Sequence, residues 1–456
     1  MRRWRCPLAL VLVVAALVAS TPAARAATPV LETTLDNGLR VLILEDRRNP
    51  LVSVQVWYRV GSRDERPGAT GLAHFLEHMM FKGTPTHPKG TYSRIVESNG
   101  GHDNAFTTQD TTSYFVNIAA SKVDEVLQLE ADRMRNLLLD PAEIDAERQV
   151  VMEERRMRTE DSPDGLLAEE VMATAFLAHP YRWPVIGWME DIGRINATEL
   201  RAFYDLYYRP NNAVLVVVGD VRAPELLARI RTIFGPIARG PAPPPVTAVE
   251  PPARSERRVT LRSGAARLPA LTLTWLVPNF RSPDAPALEV LETVLSGGRA
   301  SRLHRHLVVE AGVALDADAD YSYGSVDPNL FWLSARPAEG VDLGELERAL
   351  LEELERLKRE PIDAEELARA QNQIEASFVW GQDSIYARAA TLARFERIGS
   401  WRRADEYVAA IRAVTAADVQ RVARTYFPVH VNTVGVLLPE ASGSAPAGPE
   451  KAEKEK

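Results

Sequence analysis

"DIGRINATELRAFYDLYY" (Asp191–Tyr208) and "AIRAVTAADVQRVARTYF" (Ala410–Phe427) lie 219 residues apart and repeat one apolar spacing. Ile192 falls on Ile411, Ile195 on Val414, Leu200 on Val419 and Tyr207 on Tyr426. Each stretch reads as an amphipathic helix behind a cap, Asn196 or Thr415, and the first runs on into the strand-like "AVLVVVGDV" (Ala213–Val221). At the same shift Val52, Val54 and Val56 fall on Leu271, Leu273 and Trp275, so the alternating faces of two strands coincide. Two matches at one shift indicate a duplicated unit.

Within the first unit, "LDNGLRVLILED" (Leu35–Asp46) places Asn37-Gly38 between strand-like runs, which is a hairpin signal. Val52, Val54, Val56, Tyr58 and Val60 alternate with other residues as a half-buried strand does. Hairpins with segregated helices predict an α+β fold of two homologous halves, each an antiparallel sheet with helices packed against it.

The stretch "GPIARGPAPPPVTAVEPPAR" (Gly235–Arg254) is too rich in proline for a helix or a central strand. It divides the chain into an N-terminal domain (27–235), a linker (236–255) and a C-terminal domain (256–439). Residues 440–456 are small, charged and without apolar periodicity, and read as a disordered tail.

Residues 1–26 combine Arg2, Arg3 and Arg5, an apolar run from Pro7 to Ser20, and Ala24-Arg25-Ala26. This is the pattern of a cleaved signal peptide, which predicts a periplasmic or secreted protein. The run is shorter than the roughly 20 residues that cross a bilayer, and no later segment is long enough, so no stable membrane span is expected. Cys6, the single cysteine, lies in this segment, so the mature chain would have to bind any metal through His, Asp or Glu. The formal charge of −8 becomes −12 once the four arginines of residues 1–26 leave, which argues against nucleic acid as a partner.

"GLAHFLEHMMFKGT" (Gly71–Thr84) carries the chemistry. On a helix His74, Glu77, His78 and Phe81 share one face, and Leu72, Phe75, Leu76 and Met79 cover the opposite one. Two imidazoles one turn apart reach a single ion, and Glu77 beside them is placed to take a proton from water as a general base. A catalytic zinc needs a third protein ligand and an open fourth position. "DPAEIDAERQVVMEERRMR" (Asp140–Arg158) starts with Asp140 as N-cap, Pro141 at the first helical position and Glu143 where a capping-box glutamate belongs. Ile144, Glu147, Val151 and Glu154 fall on one face of that helix, and carboxylates among branched apolar residues are costly to bury without a cation.

"HFLEH" followed by "ERQVVMEE" resembles the inverted-motif zinc peptidases of the pitrilysin and insulinase family, in particular the mitochondrial processing peptidase branch and its bacterial relatives. The resemblance covers nearly the whole mature chain. It implies a metalloendopeptidase with one zinc per chain on His74, His78 and Glu154, with Glu77 as base and Glu147 as a supporting carboxylate. Glu153 is the competing ligand, but it faces away from Glu147. In "GGHDNAFTTQDTTSYFV" (Gly100–Val116) the family has a strand whose edge pairs with the substrate peptide, which implies contacts from Asn104 and Ala105. His102 reads as a surface residue, and His304 and His306 are spaced wrongly for a helical pair.

The second half departs from the pattern. Thr293, Ser296 and Gly297 fall on His74, Glu77 and His78, and Gln373 falls on Glu154. In "SRLHRHLVVEAGVALDADADY" (Ser301–Tyr321), Val308 and Leu315 stand where self-sufficient members of the family have an arginine and a tyrosine that hold the oxyanion. Losing such donors costs about 3–4 kcal/mol each. The resemblance therefore implies a two-chain enzyme in which a homologous subunit supplies the arginine and tyrosine. A homodimer would need Tyr321, Tyr323 or a nearby arginine to take their place. The rival expectation is a non-catalytic core subunit of a larger complex, which would have no use for His74, Glu77, His78 and Glu154.

Overall fold

The computed structural model describes residues 29–440. The expected signal peptide, with Cys6, lies outside the described residues, as does the expected tail beyond Glu440.

Two sheets form the frame. The first is six-stranded, in the order β1 (Leu31–Thr34), β2 (Arg40–Glu45), β6 (Ala213–Gly219), β3 (Leu51–Tyr58), β5 (Thr112–Ala119), β4 (His102–Thr107). The second is five-stranded: β7 (Arg257–Ser263), β11 (Thr433–Pro439), β8 (Ala270–Val277), β10 (Asn329–Pro337), β9 (Ala314–Tyr321). Without β1 the first sheet has the order of the second, and β3 maps onto β8 at the 219-residue shift. The helices Ala197–Tyr207 and Ala416–Tyr426 coincide at the same shift, with Asn196 and Thr415 as their side-chain caps.

Each sheet is mixed where an all-antiparallel one was expected, because β2 pairs with β6, and β7 with β11, in parallel. The hairpin signal at Asn37-Gly38 is local and correct for β1 and β2. β6 arrives about 170 residues later, after the helices, so no turn constrains its direction. Gly38 has φ +91°, and a Cβ there would lie 2.6 Å from Asn211 Cβ, so the tight turn needs glycine.

Each half sends a helix across to the other. The helix Ile385–Arg397 lays Ala389, Ala390, Leu392 and Ala393 on Leu42, Leu44, Trp57, Val214, Val216 and Val218 of the first sheet. The helix Pro163–Ala175 lays Leu167 and Val171 on Ala270 and Leu437 of the second. Gly435 on β11 makes room for it, since a Cβ there would meet Val171 Cγ2 at 2.3 Å. With its own helices on one face and a borrowed helix on the other, β6 is buried along its whole length, which explains its unbroken apolar sequence.

Polar contacts lock the same interface. Arg63 pairs with Asp327 at 2.7 Å and Asp110 at 3.2 Å, and Arg397 donates to the Asp110 carbonyl at 3.0 Å. Residues 238–254 form no helix or strand, and Glu250 within them accepts from the backbone N–H of Leu177, Ala178 and His179. None of the described helices is long and apolar enough to cross a membrane.

Candidate active site

The histidine helix, Leu72–Met79, buries Leu72, Phe75, Leu76 and Met79 and turns its other face to a cleft of about 1330 Å³. Its N-terminus is held from outside. Glu65, buried six residues upstream, accepts from Gly71 N at 2.8 Å and Ala73 N at 2.7 Å, satisfying free N–H groups of the first turn. Gly71 (φ +88°) and Gly187 (φ +89°) lie against each other, and a Cβ on Gly187 would come within 2.6 Å of Gly71 Cα.

The acidic helix, Pro141–Arg155, begins as its sequence predicts, with Asp140 accepting from Ala142 N at 2.8 Å. Glu143 does not close a capping box, because its carboxylate turns instead to the Lys89 ammonium at 2.6 Å. Glu147 is buried and Glu154 half-buried. Glu153 is exposed and pairs with Arg156, and it is not among the three residues whose ligand atoms converge.

The two helices converge. His78 Nε2 lies 3.2 Å and His74 Nε2 3.8 Å from Glu154 Oε2, with the imidazole centroids 4.8 Å apart. One ligand atom from each of these three residues lies within 4.8 Å of the others. Donors around a tetrahedral zinc, with bonds near 2.0–2.1 Å, are separated by about 3.3 Å, so the set fits such an ion with little movement. Glu147 Oε1 holds His78 Nδ1 at 2.8 Å, which leaves Nε2 facing the shared centre. Among the described residues no other such group of His, Cys, Asp and Glu occurs.

Burial and neighbouring charge set the protonation of the three groups. Burial and the neighbouring His78 push His74 down to about 4. Against burial, Glu147 and Glu154 hold His78 up to about 9. Hydrogen bonding to His78 keeps Glu154 below the ordinary carboxylate range. Two imidazoles one turn apart thus resist sharing two protons, whereas a divalent ion would occupy the centre through both lone pairs. Glu77, raised by burial, accepts from Thr107 Oγ1 at 2.5 Å, so β4 orients the expected base.

Among the described residues β4 is the outer strand of its sheet and pairs only with β5. Asn104, Ala105, Phe106 and Thr107 line the cleft beside the zinc ligands expected from sequence. Asn104 Oδ1 accepts from Ala105 N at 2.8 Å. His102 is exposed, and His306 Nδ1 bonds Glu353 at 2.7 Å, so neither reaches the cleft.

In the other half Thr293, Ser296, Gly297 and Gln373 line a second cavity of about 800 Å³. A Cβ on Gly297 would lie 2.9 Å from Gln373 Oε1, so the corresponding helices also converge there, without ligands. Leu315 is half exposed and does not line the cleft at His74 and His78. Tyr321 gives its hydroxyl to Pro278 O at 2.7 Å, and Tyr323 lines the second cavity. Among the described residues Arg158 is the one arginine on the cleft wall, and it pairs with Glu154 Oε1 at 2.8 Å.

Sequence reasoning missed Glu65, Thr107, Lys82 and Arg155. Arg155, next to Glu154, is buried against Glu169 and the Gly187 carbonyl, while Lys82 pairs with Glu147. Only the position of Lys82, one helical turn past His78, was a visible signal.

Comparison with known proteins gives the same picture. Residues 40–187 match the family model described as insulinase (peptidase family M16), and residues 194–374 that described as peptidase M16 inactive domain. The chain is 32% identical to the zinc protease PqqE of Helicobacter pylori over 89% of this chain and 92% of that protein. It is 28% identical to a probable mitochondrial-processing peptidase subunit beta of Arabidopsis thaliana, over 86% of this chain and 75% of that protein. A crystal structure of a protease from Helicobacter pylori superposes with a TM-score of 0.87 at 32% identity, covering 90% of this chain and all of that one.

Proposed function

This chain belongs to the insulinase family of peptidases (M16) and is a zinc protease, and from that premise we propose that His74, His78 and Glu154 hold one zinc ion, with Glu77 as general base, in a metalloendopeptidase for extended peptides. The observation that carries the assignment is the approach of both Nε2 atoms to one oxygen of Glu154, from helices about 70 residues apart in sequence.

Bound zinc would supply Lewis acidity to the scissile carbonyl and to the attacking water. The residues of the chain do the rest. Glu147 orients His78, and Thr107 holds the Glu77 carboxylate on the cleft wall. Glu77 takes the proton of that water and hands it to the leaving amine. The exposed edge of β4 at Asn104 and Ala105 offers the substrate backbone a strand to pair with, which favours unfolded segments of varied sequence.

The oxyanion donors point to a second chain. Tyr321 gives its hydroxyl to Pro278, Tyr323 lies on the second cavity and Arg158 pairs with Glu154, which favours a homologous subunit bringing an arginine and a tyrosine over a homodimer. The basic and apolar start of the chain favours a site of action outside the cytoplasm, in the periplasm or beyond.

Metal analysis tests the centre and is expected to find one zinc per chain. Glu77→Gln is expected to keep zinc while losing cleavage of an unfolded peptide by at least a hundredfold. Assays with and without a homologue that lacks the zinc motif test the pairing, and full activity of the single chain would sink it.

A further inference from the structure

Both carboxylates of the site divide their oxygens in the same way. Glu154 gives Oε2 to the imidazoles and Oε1 to Arg158. Glu147 gives Oε1 to His78 Nδ1 and Oε2 to the Lys82 ammonium. The two cations differ in setting. The Arg158 side chain is 76% exposed and its pair is screened by water, whereas the Lys82 and Glu147 side chains are 18% and 7% exposed.

Building on the zinc reading above, we infer that Lys82 is a positioning residue of the metal site: its ammonium clamps the Glu147 oxygen that His78 leaves free, and so fixes the His78 ring through that carboxylate. Lys82 lies one turn beyond His78. The chain keeps turning after the histidine helix, with Phe81 N donating to His78 O at 3.2 Å and Lys82 N to Met79 O at 2.9 Å, which brings the side chain onto the histidine face. A carboxylate held by one oxygen can rotate about its bond to the chain, and one held by both cannot. With Lys82 removed, Glu147 would keep a buried, unpaired oxygen that competes for the His78 N–H and tilts the ring.

The experiment measures zinc affinity of the metal-stripped full-length protein by competition with a chromophoric chelator, with the visible spectrum of the cobalt(II) form as a second readout. Lys82→Met, which keeps the aliphatic stem, is expected to weaken zinc at least tenfold and to alter the cobalt spectrum. Lys82→Arg is expected to stay within about threefold, and so is Arg158→Met, as the exposed counterpart. In a Glu147→Gln background the neutral amide needs no cation, so adding Lys82→Met is expected to cost nothing further, which also covers a single variant that fails to fold. Equal zinc affinity for Lys82→Met and the unaltered chain would overturn the inference, as would an undiminished loss in the Glu147→Gln background. An unaltered chain that holds no zinc would overturn the zinc reading itself, and the inference with it.

Discussion

Arg155 and Glu169 form a two-armed ion pair, Nη1 to Oε2 and Nη2 to Oε1 at 2.8 Å each, with side chains only 5% and 8% exposed. Arg155 Nη1 also donates to the Gly187 carbonyl at 2.9 Å. The residue after Glu154 is thereby tied to the helix that crosses to the second sheet and to the loop that packs on the histidine helix. The position of Glu154 is thus set from both directions.

Arg155→Met is expected to destabilise the protein by about 3–5 kcal/mol, because it leaves Glu169 buried without a partner. Denaturant unfolding of the metal-free protein measures this. A loss below about 1 kcal/mol would show that the pair does not hold the helix end.

Gly187→Ala is expected to cost more than Gly68→Ala. Both glycines have positive φ, +89° and +82°, but a Cβ on Gly187 would strike the Gly71 backbone at 2.6 Å, whereas nothing lies within 4 Å of Gly68. Backbone strain alone is about 1 kcal/mol. The excess at Gly187 is expected to appear as weaker zinc binding, since the histidine helix begins at Leu72.

Thr107→Val keeps the shape of β4 and removes the hydrogen bond to Glu77. Turnover is expected to fall about tenfold with zinc content unchanged, because the proposed base loses its hydrogen bond and the proposed metal ligands keep theirs. Steady-state kinetics with metal analysis on the same sample decides it, and unchanged kcat would remove Thr107 from the mechanism.

The second cavity makes stability depend on pH. Burial raises Glu289 and Glu292 from their ordinary 4.5 to about 7. The folded state then holds protons that the unfolded state releases. The contribution is full below about pH 4.5 and is lost as pH rises through about 7. Glu289→Gln, which keeps a partner for the Tyr407 hydroxyl, is expected to reduce this loss by on the order of 2 kcal/mol. Denaturant midpoints at pH 5 and pH 8 test the sign.

Much of the candidate site was legible because helical geometry is local. His74 and His78 are one turn apart, and Glu147 and Glu154 two turns apart, so each pair had to share a face. What held those helices was not legible. Glu65 and Thr107 act from a loop and a strand with no motif of their own, and a buried Arg155 reads in sequence like any arginine at a helix end.

The amino-acid sequence alone determined the duplicated α+β plan, the two helices that carry the candidate ligands and the half that lacks such residues, because periodicity and turn chemistry depend on residues a few positions apart. The tertiary structure decided the parallel strand in each sheet, the exchange of helices between the halves and the convergence of Glu154 on the imidazoles. Those depend on apolar faces that find their partners about 70 or more residues away, and on buried charges whose pairing is set only once water has been excluded around them.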